Sequence, residues 1–116
     1  MVIPFFEYAD YNFVAKTKFG GRIAGNNLDI IQRYIYYFGV WEQNLSCFLN
    51  ERLKEGDAFI DIGANIGYFT LQAAKLVGPS GKVIAIEVSP TIFKKLIANL
   101  QRNRVTNVET YNRSLA

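Results

Sequence analysis

Phe59-Ile60-Asp61-Ile62-Gly63-Ala64-Asn65-Ile66-Gly67-Tyr68 is the stretch that decides the fold. Ala58 to Ile62 is almost wholly apolar, as a buried parallel strand is, and a glycine-spaced turn follows it and opens a helix. Small or left-handed-tolerant residues stand at 63, 65 and 67. They let bare backbone approach a ligand without a Cβ in the way, the device of nucleotide cradles.

Glycine phase narrows the ligand. A dinucleotide fingerprint wants glycines at i, i+2 and i+5, here 63, 65 and 68, yet position 68 is Tyr and the glycine falls at 67. The i, i+2, i+4 phase, with Asp61 two residues ahead of it, is that of S-adenosylmethionine enzymes. An NAD-dependent oxidoreductase fails on this phase and on the lack of any catalytic candidate.

Working outward, the helix after the turn runs from about Gly67 to Val77, and Gly78-Pro79-Ser80-Gly81 breaks it. Lys82 to Glu87 is the second strand. Ser89-Pro90 makes a cap and first-turn pair, and apolar residues at 92, 93, 96, 97 and 100 give the next helix one buried face. A third strand is expected from Asn107 to Tyr111. Strand, helix, strand, helix, strand with right-handed crossovers predicts an α/β, Rossmann-like, doubly wound parallel sheet.

Upstream, residues 11–24 alternate apolar and polar around Gly20-Gly21 and read as a hairpin. Asp29 to Tyr37 reads as a short helix, although its aromatic run is also compatible with a strand. Glu42 to Leu53 places apolar residues at 45, 48, 49 and 53 on one helical face, expected to lie against the sheet. Tyr34, Tyr36, Tyr37, Phe38 and Trp41 are read as core packing against the sheet in preference to a sugar-stacking surface. The expected division is an N-terminal hairpin and helical extension over 1–54 and the first half of a cofactor-binding domain over 55–116.

Composition bounds the function. The 116 residues carry a net charge of +3, no His and a single Cys. Roughly 65% of the unfolded surface is buried at this size, enough for one modest core. Lys and Arg are interleaved with acids along the whole chain, so no nucleic-acid partner is expected. Without His, and with Cys47 alone, neither a metal site nor a disulfide is expected. Any proton acceptor must be Asp, Glu, Lys or Tyr. The N-terminus lacks a charged leader and no run approaches the roughly 18 apolar residues of a membrane span. A cytoplasmic location without membrane association is expected.

Candidate ligand contacts follow from the strand ends. Glu87 lies 20 residues beyond Gly67, close to the spacing at which an acid reaches a ribose. Its carboxylate is predicted to accept from both ribose hydroxyls. Val88 and Ser89 then border the adenine ring, which would pack on a side chain and meet a backbone N–H. Asp61 is placed to hold the turn or to meet the cationic ammonium of the ligand's methionine end. Asn65 tolerates positive φ and can bond the ligand carboxylate, and Tyr68 is placed to lean over the cofactor.

DIGANIGYFTLQAAKLVGPSGKVIAIEVSP, with FGVWEQNL upstream and LIANLQRNRVTNV downstream, resembles the FkbM-type methyltransferases from about Gly39 to the end. That resemblance implies a class I S-adenosylmethionine-dependent fold and O-methylation of hydroxyls on sugars, polyketides or similar small acceptors. Carried over by position, Asp61, Gly63, Ala64, Asn65 and Gly67 are the cofactor loop, Glu87 the ribose acid, and Glu42 an acid near the pocket mouth. The family's usual Glu-Pro is Glu87-Val88 here. Its later strands and acceptor side have no counterpart, and no residue presents itself as the catalytic base.

The expectation is therefore the cofactor-binding half of a methyltransferase, against the alternative of a non-catalytic nucleotide-binding or assembly module. Because the chain ends at Ala116, just after the third strand, the first strand is predicted to lie at a sheet edge. A truncated product that self-associates through that edge is expected unless something covers it.

Overall fold

The computed structural model describes residues 10–114, so the first nine residues of the predicted N-terminal extension lie outside the described part. Nine elements follow one another: β1 (Asn12–Lys16), β2 (Arg22–Asn26), α1 (Ile30–Phe38), α2 (Gln43–Arg52), β3 (Ala58–Ile62), α3 (Tyr68–Val77), β4 (Lys82–Ile86), α4 (Pro90–Arg102) and β5 (Val108–Tyr111). The strands form an antiparallel β1–β2 hairpin and a parallel sheet in the order β3-β4-β5. This is the Rossmann-like α/β arrangement that the strand–turn–helix motif predicts, with β3 at the edge.

The register positions the site. Phe59 pairs with Val83, Asp61 with Ala85 and Ile62 with Ile86, so the tips of β3 and β4 lie side by side. Alternation then divides the sheet into two faces. Phe59, Val83 and Val108 pack with Ala73, Ala74 and Val77 of α3. On the opposite face Ile60 and Ile62 stay largely exposed.

Local sequence starts the helices. Asp29 caps α1 by accepting from the Gln32 N–H, and Ser89 caps α4 by accepting from the Ile92 N–H, with Pro90 in the first turn. Such a cap contributes about 1 kcal/mol. α3 instead starts from Gly67 with φ at 105° and no side-chain cap.

Two expectations about the N-terminal region are corrected. α2 does not lie against the sheet. Only Ser46 and Leu49 of it are buried, while Leu45 and Phe48 are exposed. It is held to α3 by a polar tie in which the Ser46 hydroxyl donates to Gln72 Oε1 at 2.9 Å and Gln72 Nε2 donates to Ser46 O at 2.8 Å. A fully buried carboxamide must be satisfied, and that requirement outranks the helix's apolar stripe.

Most of the aromatic run is likewise not core of the parallel sheet, although Trp41 packs against the cluster that includes Ala85 of β4. Tyr34, Tyr36 and Phe38 are exposed. α1 buries Gln32 and Ile35 only, so its aromatics turn outward or onto the hairpin, where Tyr36 stacks on Phe13 at 4.4 Å. A single cluster of Phe13, Ala15, Ile23 and Ile35 with Ile66, Ala85, Leu96 and Leu100 joins hairpin, cofactor-type loop and α4. Among the described residues no helix is long and apolar enough to cross a membrane.

Candidate cofactor site

At the C-terminal tip of β3 the chain turns through Gly63 (φ 73°), Asn65 (φ 54°) and Gly67 (φ 105°), the three positions at which positive φ is predicted. The turn is fastened to the neighbouring strand. The N–H groups of Gly63 and Ala64 donate to Ile86 O at 2.8 and 3.0 Å, and the Gly67 N–H donates to Ala64 O at 3.1 Å. Asn65 uses its own Oδ1 to accept from the Ile66 N–H at 2.8 Å.

The two glycines have different reasons. A Cβ at Gly63 would meet nothing within 4 Å, so bare space borders the loop there. A Cβ at Gly67 would approach Leu96 Cδ1 to 2.9 Å, so this glycine admits close packing of the loop on α4.

Glu87 is buried beside the loop. Its Oε1 accepts from the Asn65 N–H at 2.8 Å and its Oε2 from the Ser89 N–H at 2.9 Å. The carboxylate thus stitches the cofactor-type loop to the turn after β4 before any ligand arrives. An ionised carboxylate has about four lone-pair directions, which leaves acceptor capacity for hydroxyl groups.

Asp61 differs. It is half-buried, and its Oδ2 accepts from the Thr70 hydroxyl at 2.7 Å. Burial pushes its pKa above the ordinary carboxylate value; the Thr70 bond opposes this and the nearby charge of Glu87 adds to it.

A cavity of about 310 Å³ opens in front of the loop, at the low end of the roughly 300–1,000 Å³ range of ligand sites. Of the predicted residues, Glu42, Asp61, Gly63, Ala64, Asn65 and Tyr68 line it, whereas Gly67, Glu87, Val88 and Ser89 do not. Its other walls include residues that the sequence reading did not assign to the site: Ile31 and Ile35 of α1, then Trp41 and Leu45, besides Ile62, Ile66 and Phe69 around the turn itself. Adjacency of Trp41 to Glu42 is the signal that could have found them.

Tyr68 does not lean over the opening. It is buried under Phe19 and Phe69 in edge-on contacts of 5.2 and 5.0 Å, and its hydroxyl has no partner among the described residues. Ser89 caps α4 with its side chain, while Val88 is exposed.

The wall includes two carboxylates, Asp61 and Glu42, and no basic residue. A larger cavity of about 440 Å³ between the hairpin and α4 has the opposite character, with Lys95 and Arg102 beside Phe13 and Val14. The smaller cavity is thus the acidic one of the two and the larger the basic one. The acidic wall and the Cβ-free approach at Gly63 fit an adenosyl sulfonium better than a pyrophosphate.

Comparison with known proteins agrees on the class. The TRM5/TYW2 methyltransferase domain matches residues 24–113. The 23S rRNA (uracil(1939)-C(5))-methyltransferase RlmD of Psychrobacter arcticus is 35% identical over 71 residues, covering 61% of this chain and 14% of its own length. Protein-L-isoaspartate O-methyltransferase of Methanococcus aeolicus is 40% identical over 57 residues, 49% of this chain and 26% of its own. The chain thus spans about a quarter or less of the length of these relatives.

Among solved structures, a SAM-dependent methyltransferase from Aquifex aeolicus is 30% identical with a TM-score of 0.54, covering 63% of this chain and 37% of that one. TYW2 from P. horikoshii in complex with MeSAdo superposes with a TM-score of 0.66 at 24% identity, covering 91% of this chain and 37% of that one, which speaks for the fold. The class I methyltransferase assignment stands; the family whose model matches is TRM5/TYW2, and the finer FkbM resemblance is not shown by these matches. The expectation that excludes nucleic acid does not stand, because an rRNA methyltransferase is among the relatives.

Proposed function

The chain belongs to the TRM5/TYW2 methyltransferase domain family, and from that premise we propose that it supplies the donor-binding part of an S-adenosylmethionine-dependent methyltransferase acting on RNA. S-adenosylmethionine is the cofactor of this class of enzyme. When bound, it supplies a sulfonium-activated methyl group to a nucleophile on the acceptor. What the chain's own residues do is bind, orient and exclude water, which is most of what an in-line transfer needs.

The observation that carries this reading is the acidic, lysine-free and arginine-free wall of the cavity beside the Gly63–Gly67 turn. Asp61 and Glu42 face positive charge on the ligand. Asn65 offers its amide nitrogen to the ligand's carboxylate. Glu87, Val88 and Ser89, off the cavity wall, hold the ribose and border the adenine.

RNA is favoured over other acceptors by the rRNA-modifying relatives and by two surface features. Lys94, Lys95 and Arg102 stand on α4, which carries no acid. Tyr34, exposed, contacts Phe38 at 4.6 Å and Trp41 at 5.4 Å, and Trp41 also lines the cavity. Aromatic faces beside a reactive site suit an unstacked base. The acceptor hydroxyl on a sugar or polyketide that the FkbM resemblance implies is the competing reading.

The test is transfer of labelled methyl from S-adenosylmethionine to bulk transfer and ribosomal RNA, alongside a panel of small hydroxylated acceptors. Label in RNA that is lost on nuclease treatment supports the reading. Label in small acceptors alone would move the protein to the competing class, and failure to bind S-adenosylhomocysteine would remove both.

A further inference from the structure

The outer edge of β2 is closed by side chains. Asn99 of α4, fully buried, accepts from the Ala24 N–H at 2.8 Å and donates to Ala24 O at 3.3 Å. One turn on, Asn103 accepts from the Arg22 N–H at 2.8 Å and donates to Arg22 O at 2.7 Å. Gln32 of α1 accepts from the Asn26 N–H at 2.8 Å. Four residues of helix rise about 6 Å, nearly the roughly 6.6 Å spanned by two residues of strand. Two carboxamides at i and i+4 therefore stand in for the next strand of the hairpin.

Asn99 does one thing that Asn103 does not. Its Nδ2 also donates to Ile66 O at 2.9 Å. Ile66 sits between Asn65 and Gly67, both at positive φ, so the direction of its carbonyl reports how the whole turn is set. Rotation of that peptide would leave a buried acceptor unpaired and would redirect the Gly67 N–H, now bonded to Ala64 O.

We propose that Asn99 is a positioning residue: through Ile66 O it holds the Gly63–Gly67 turn in its ligand-ready shape, and through Ala24 it ties that shape to the docked hairpin. Cofactor affinity and hairpin docking are thereby coupled through one carboxamide. The affinity half of this inference rests on the donor-binding reading above; the loop half does not.

Asn99→Ala and Asn103→Ala are a matched pair, because each removes hairpin bonds and only the first removes the bond to the turn. In the ligand-free protein, amide hydrogen exchange at Asn65, Ile66 and Gly67 is expected to quicken about 10-fold in Asn99→Ala and to stay within about 2-fold of wild type in Asn103→Ala. Both variants should melt earlier. S-adenosylhomocysteine affinity should fall about 10-fold in Asn99→Ala alone.

Asn99→Asp keeps the acceptor for Ala24 and loses the donor to Ile66. It should reproduce the turn defect, and it decides the matter if Asn99→Ala does not fold. Equal turn exchange and affinity in the Asn99 and Asn103 variants would overturn the proposal. Wild-type protein that fails to bind S-adenosylhomocysteine would defeat the donor-binding reading, and the exchange data would still decide the role of Asn99.

Discussion

At the tip of β4, Glu87 is buried and each carboxylate oxygen accepts from a backbone N–H, those of Asn65 and Ser89. At the adjoining tip of β3, Asp61 is half-buried, is bonded to the single hydroxyl of Thr70 and has its pKa pushed up by burial. The two acids sit at the C-terminal ends of neighbouring parallel strands, Asp61 level with Ala85 and Glu87 two residues further along. The difference lies in the donors around them. Glu87 is compensated within the protein and shapes the turn, whereas Asp61 is under-compensated and fronts the cavity. An acid kept at a cost beside an opening is one whose cost a cationic ligand can offset.

The harshest way to break this comparison leaves both acids untouched and deforms the turn between them. Gly67→Ala puts a Cβ 2.9 Å from Leu96 Cδ1 at a φ of 105°. Overpacking and left-handed strain together predict a loss of about 2–4 kcal/mol in chemical denaturation. Gly63→Ala, with open space around its Cβ, should cost only the strain, about 1–2 kcal/mol.

Glu87→Ala removes the acceptor of two backbone donors and, in the proposed function, of the ribose hydroxyls. Calorimetry with S-adenosylhomocysteine should show affinity falling about 10-fold to 100-fold, the equivalent of roughly 1.5–3 kcal/mol. A variant that binds like wild type would leave Glu87 as a strut for the turn and nothing more.

Asp61→Asn sharpens the contrast from the other side. A carboxyl group whose pKa is raised on folding contributes stability below the ordinary carboxylate range and loses it as the pH climbs through the raised value. Above that raised value the ionised Asp61 is a liability, so the Asn variant should melt later than wild type at alkaline pH, an advantage that shrinks as the pH falls toward the ordinary carboxylate range. S-adenosylmethionine affinity should drop about 10-fold while that of S-adenosylhomocysteine, without charge at sulfur, drops less. Equal losses for the two ligands would place Asp61 away from the sulfonium.

The mildest perturbation is Ser89→Ala. It removes the cap on the Ile92 N–H and leaves the Ser89 N–H to Glu87 intact, so a cost of about 1 kcal/mol in stability is expected, with ligand affinity preserved.

The parallel unit was legible because its signals are local. An apolar run, positive-φ residues at fixed offsets and a Ser-Pro cap each act within a few residues, and β3, α3, β4, α4 and β5 lie within a residue or so of where they are expected. The placement of Glu87 beside the turn follows from the same spacing. The bonds Glu87 would make did not, since they depend on which backbone donors the turn of the chain brings within 3 Å. The N-terminal region was harder for a related reason. The apolar stripe of α2 pointed to the sheet, but the Ser46–Gln72 tie, 26 residues apart, fixed it on α3. The aromatics of α1 looked like core by composition, and only the hairpin's position shows that one helical face is needed inside. Trp41 and Leu45 entered the site by that tertiary route.

The most direct test is where S-adenosylhomocysteine binds, followed by amide and indole chemical shifts during titration. The account predicts the largest changes at Gly63, Asn65, Gly67 and Asp61 and at the Trp41 indole. Changes centred on Phe13, Val14, Lys95 and Arg102 at the larger basic cavity, with the Gly63–Gly67 turn unmoved, would contradict it.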